Sequence, residues 1–70
     1  MKYSENLIKH AENVIRETDM RNGAAINTAM RSIAWDIESL MSLESIDYEA
    51  MSKLNQLYAG LNNIQAVRKL

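Results

Sequence analysis

Only one side chain in this chain can trade a proton near neutral pH in its unperturbed form, and that is His10. One helical turn away lie Asn6 and Asn13, which do not make a metal set. A single histidine with no cysteine cannot build a structural zinc site. The expectation for His10 is a boundary residue on the flank of a helix, near Tyr3 and Val14, making an ordinary hydrogen bond. Serines are plentiful, but a nucleophile needs a base beside it and an oxyanion site. His10 would have to serve them all. No glycine-rich phosphate loop and no ligand spacing occurs. The pattern therefore reads as a non-enzymatic chain, with no catalytic residue, no cofactor and no metal.

Binding chemistry is better represented. Trp35, the only tryptophan, lies on a helical projection roughly 180° from the stripe Ile26, Ile33, Ile37. Around it on that back face fall Thr28, Arg31, Ser32, Glu38, Ser39 and Ser42. Small polar neighbours let a second surface approach, and tryptophan is enriched among binding hot spots. These seven residues are the candidate partner-binding face, with Trp35 as anchor and Arg31 and Glu38 as polar rim. The competing expectation is that Trp35 covers a neighbouring helix from within the fold.

Two further groups have weaker chemistry. Asp36, Glu38, Glu44, Asp47 and Glu49 form an acidic run with no base between them. It reads as a negative patch for a basic partner, or as a solvated connection whose acids favour the start of the next helix. Ser52, Asn55, Gln56, Asn62, Asn63 and Gln65 form an amide-rich series. Asn and Gln can read adenine edges in a major groove, which gives a helix-turn-helix alternative with the third helix as reader. Against it stand the acids at that helix's start and the few scattered bases Lys53, Arg68 and Lys69. A polar surface, or a seam for a partner helix, fits the series better.

The elements that must hold these residues are helices. Proline is absent and glycine occurs twice in 70 residues, so little interrupts helix formation. From Ser4 to Asn22, Leu7, Ile8, Ala11, Val14 and Ile15 form one stripe at helical period. Ser4 stands at an N-cap position, and Met20 is off the stripe. The opposite face carries Glu5–Lys9, Glu12–Arg16 and Glu17–Arg21, each worth about 0.2–0.5 kcal/mol as a helical pair. Asn22-Gly23 reads as a C-cap or turn with left-handed backbone. A second stripe runs through Ile26, Ala29, Met30, Ile33, Ile37, Leu40 and Met41 to about Leu43. Asp47 caps a third helix, with Ile46 and Met51 at staple spacing. Its face is Met51, Leu54, Leu57, Tyr58, Leu61 and Ile64.

The chain thus predicts a single helical domain over 1–70. Its class is all-α, a small antiparallel three-helix bundle with helices over 4–22, 24–43 and 48–68. Asn-Gly as a turn pair favours the break. The alternative is a continuous helix over 4–43, about 60 Å long, which with helix 48–68 would need a helical-hairpin dimer to bury its stripe.

Eight basic and nine acidic residues leave a net charge of −1, without the basic excess of a chain that grips phosphates. No signal-peptide pattern and no apolar run of membrane length appears, so a cytoplasmic protein without membrane contact is expected. Absent cysteine removes the disulfide staple that small domains use, which makes self-association a serious expectation. Short cysteine-free helical chains are common among small regulators carried by phages and plasmids, a likeness of size class only. The leading expectation is a protein–protein interaction module, a regulator or inhibitor that occludes or bridges a larger partner. The others are a DNA-reading regulator and a structural homodimer.

Overall fold

Asn22 decides where the chain turns. Its Oδ1 accepts the backbone N–H groups of Ala24 and Ala25 at 3.0 and 3.2 Å, and its own backbone is extended, which is the geometry of an N-cap. The computed structural model describes residues 3–68, so Lys69 lies outside the described residues. The elements are α1 (Tyr3–Glu17), α2 (Gly23–Met41) and α3 (Tyr48–Arg68). Together they make a small all-α three-helix bundle. No continuous helix crosses Gly23.

The first turn corrects several expectations. α1 stops at Glu17, well short of Asn22. Beyond it, the Thr18 hydroxyl donates to the Val14 carbonyl at 2.6 Å, and Asp19 Oδ1 accepts the Arg21 N–H at 3.0 Å. Such local bonds offer the backbone an alternative to the helix. Arg21 is therefore off the helix, and Glu17–Arg21 is not a helical pair. Asn22 caps the helix that follows, not the one that precedes, and neither glycine nor any other described residue has positive φ. α2 ends at Met41 with Ser42 as its C-cap, two residues before Leu43.

Ser4 is not a cap either. It lies inside α1, and its hydroxyl donates to Asp47 Oδ2 at 3.0 Å. Asp47 Oδ1 accepts the Ala50 N–H at 3.1 Å, which is the expected cap of α3. One carboxylate thus caps α3 and fastens the start of α1 to it. Ile46 and Met51 are both half-buried, as a staple requires.

The opposite end is closed by Gln65 and Arg68. Gln65, 8% exposed, donates through Nε2 to the Gly23 carbonyl at 2.9 Å and to Asn27 Oδ1 at 2.7 Å. Arg68 Nη2 donates to the Arg21 carbonyl at 2.6 Å. The start of α2 is therefore tied to the end of α3, so these two helices are antiparallel, while Ser4–Asp47 sets α1 parallel to α3.

Between the two ends lies the core. Its largest fully buried side chains are Ile26, Ile33 and Leu40 of α2 and Leu54 and Leu61 of α3. Each contributes about 1.5–3 kcal/mol by leaving water. Leu7, Ala11, Ala29 and Ala50 complete the buried set, with Ile37, Met51, Leu57 and Tyr58 packed half-buried against it. Met20, off its stripe in the sequence, also packs there from the connection after α1. Two members of the expected stripes are displaced outward. Met41, the last residue of α2 and at the edge of its stripe, is 58% exposed, and Ile64 sits at the border of exposure.

Gly60 lies in the middle of α3, and a Cβ there would meet nothing within 4 Å. Neither backbone nor packing requires glycine at that position, although it costs about 1 kcal/mol relative to alanine in a helix. The body measures 40 × 19 × 15 Å, hardly two helix diameters thick, so its concavities are shallow. No helix among the described residues is long and apolar enough to cross a membrane.

Candidate functional site: the outer face of helix α2

α2 buries one side through Ile26, Ala29, Ile33, Asp36 and Leu40. Its 3.6-residue period sends Trp35 to the other side, where the residue is 69% exposed. Trp35 is therefore not a core residue and covers no neighbouring helix. Arg31, Ser32, Glu38 and Ser39 lie one turn from it, and Thr28 and Ser42 two turns away. Thr28, Arg31, Glu38 and Ser42 are exposed, while Ser32 and Ser39 are half-buried. All seven candidate residues thus share one continuous outward face.

Part of the polarity of that face is already spent. Thr28 Oγ1 donates to the Ala24 carbonyl at 3.0 Å, and Ser42 Oγ to the Ser39 carbonyl at 2.7 Å. Turned back on their own helix, these hydroxyls offer a partner their lone pairs and little steric bulk.

Shallow grooves run along both sides of the first half of this face, before Trp35 is reached. Toward α1, Ser32 and Thr28 line one of about 430 Å³ with Val14, Thr18 and Ala29. Toward α3, Arg31 and Ala34 line another of about 350 Å³ with Asn27, Met30 and Tyr58. Neither groove is lined by Trp35 itself, which stands beyond them toward the C-terminal end of α2. Only the half-buried position of Ser32 and Ser39 narrows the face from what the sequence projects.

The most unusual polar pair lies on the inner flank of the same helix. Asp36 is 4% exposed, and its Oδ2 accepts from His10 Nδ1 at 2.7 Å. A carboxylate can only accept here, so the ring proton sits on Nδ1. His10 makes the hydrogen bond expected of it, but with a buried partner that sequence reasoning placed in a surface acidic run. That run is consequently broken up. Asp36 is committed to His10 and Asp47 to the α3 cap, which leaves Glu38, Glu44 and Glu49 exposed. A signal was present: Asp36 falls three residues after Ile33 and four before Leu40, on the buried stripe itself.

An acid orienting a histidine is also the arrangement of a general base. Here neither of these two grooves includes His10, and no group of three or more His, Cys, Asp or Glu able to hold a metal exists among the described residues. The amide series on α3 divides in the same way. Gln65 is buried and joined to α2, whereas Asn55, Gln56, Asn62 and Asn63 are exposed. No family model matches this chain, and no curated protein or solved structure matches it either.

Proposed function

We propose that this chain is a small non-enzymatic interaction protein of the cytoplasm, binding another protein through the outer face of α2. It acts as a regulator or inhibitor of that partner, by occluding a surface or bridging two of them. The observation that carries the proposal is the exposure of Trp35. A tryptophan in water contributes nothing to a small core, yet it provides more contact area than any other side chain when a partner covers it. Arg31 and Glu38 supply opposite charges on the rim, which favours a partner with mixed polarity around an apolar pocket. The overall charge of −1 supports a protein partner over nucleic acid.

The test compares wild type with Trp35→Ala as immobilised bait against lysate of the source cells. A stoichiometric protein should be retained by wild type and lost by the variant, with the helical circular-dichroism spectrum unchanged. A folded variant that keeps the same partner would move the site away from α2. Retention of nuclease-sensitive nucleic acid alone would favour the DNA-reading alternative through α3.

A further inference from the structure

Two features of α3 have no explanation inside the chain. The stretch 54–67 contains no charged side chain, although much of its outer side meets solvent between Gln56 and Val67. In its middle is Gly60, where a side chain would extend into open space. Loss of charge is the compositional mark of an interface core, and a glycine lets two helix backbones approach closely.

These features fall on one side of the helix. At about 100° per residue, Gln56, Gly60, Ile64 and Val67 project together, away from Tyr58 and Gln65, which turn toward α2. Val67 is 67% exposed. Beside Gly60, an almost wholly apolar groove of about 190 Å³ is lined by Ile15, Met20, Leu57 and Ile64. This surface joins α1 to α3 on the side of the bundle opposite α2, and hence opposite Trp35.

We infer that a second copy of this chain covers it, with the two α3 helices packed antiparallel across Gly60. A two-fold interface must be self-complementary, each residue meeting its mirror position along the helix. α3 satisfies this when reversed. Glu49 lies in its first turn and Arg68 in its last, so the two-fold sets each acidic end toward the other copy's basic end and opposes the helix dipoles. Residues before Gly60 meet residues after it, and between Leu54 and Val67 no charge is there to be stranded. Lys53 lies opposite Val67 of the second copy, where its aliphatic stem packs and its ammonium stays in water. A stable dimer buries about 800 Å² per partner, close to a sixth of the 5034 Å² surface of this chain. One helix strip is too narrow for that, so the flank made by Ile15 of α1 and by Met20 in the connection after it is part of the contact. The assembled pair carries its two Trp35 faces outward, which makes it a bridge if the α2 reading holds, though the dimer itself does not depend on that reading.

The test is sedimentation over a concentration series from micromolar to millimolar, for wild type, Gly60→Glu, Val67→Lys and Trp35→Ala. Wild type should rise from 8.0 kDa toward twice that mass. Gly60→Glu sets two carboxylates against each other across the two-fold, and Val67→Lys faces Lys53 of the second copy. Both should stay monomeric with their helical spectra intact, since each new side chain starts from an open or exposed position. Trp35→Ala should dimerise like wild type. Should Gly60→Glu unfold, Val67→Lys decides alone. A wild type that remains monomeric to millimolar, or a folded Gly60→Glu or Val67→Lys that dimerises as wild type does, overturns the inference. Loss of the dimer in Trp35→Ala overturns it too, because the seam would then run through α2. If Trp35→Ala keeps its protein partner, the α2 proposal fails and these masses are unaffected.

Discussion

α1 and α3 flank the same central helix, and they are built on opposite plans. α1 buries little, with only Ser4, Leu7 and Ala11 inside and only Ala11 fully covered, and its outer face carries acids four residues before bases. Much of its attachment is polar: Ser4 to Asp47 at one end and His10 to Asp36 in the middle. α3 instead provides two of the five largest buried side chains, Leu54 and Leu61, while its outer face from 54 to 67 is without charge. A helix destined only for water gains solubility and small pair energies from charges. One that lacks them, in a chain where 24% of residues are charged, has a surface suited to contact. Packing accounts for the two buried faces, whereas the difference between the two outer faces has no cause inside the bundle.

The largest effect that would sharpen this contrast is expected at Leu54. Leu54→Ala should cost about 2–5 kcal/mol in urea denaturation, out of a total of only about 4–10 kcal/mol for a chain this size. A loss below 1 kcal/mol would show that α3 does not anchor the core. The polar attachment of α1 comes next. His10→Ala leaves the Asp36 carboxylate buried without its partner and should cost about 1–3 kcal/mol. An unchanged midpoint would mean that α1 is held by Leu7 and Ala11 alone.

Asn22→Ala removes the cap of α2, with an expected loss of about 1 kcal/mol and lower helicity at the start of that helix by amide exchange. Gly60→Ala should act in the opposite direction. In dilute, monomeric protein it should add up to about 1 kcal/mol, which is a rise in Tm of roughly 4–8 °C. A fall in Tm would reveal a packing role for Gly60 inside the chain and weaken the contrast between the two outer faces. The smallest effect belongs to Trp35→Ala, within about 0.5 kcal/mol of wild type. A larger loss would make Trp35 a structural residue after all.

Periodicity alone made the three helices legible, along with the faces of Leu7, Ile26, Ile33, Leu54 and Leu61, because an amphipathic stripe is a property of one segment. The Asp47 cap and the outward position of Trp35 were legible for the same reason. The boundaries of the first turn were not. Thr18, Asp19 and Asn22 each had a choice between helical and local hydrogen bonds, and pattern does not weigh that choice. Asp36 and Gln65 were misplaced by residue type, although both lie on buried stripes.

What the sequence determined by itself is therefore the class of element, its approximate extent and the outward face of α2, since these follow from spacing along one chain segment. Long-range packing set the rest: Asp36 meets His10, Gln65 reaches Gly23 and Asn27, Asp47 holds Ser4, and the open side of Gly60 adjoins an apolar groove that α3 shares with Ile15 and Met20. Each of these joins residues far apart in the chain. Their pairing depends on the direction and rotation of whole helices, which is set only when the Ile26, Ile33, Leu40, Leu54 and Leu61 side chains close-pack.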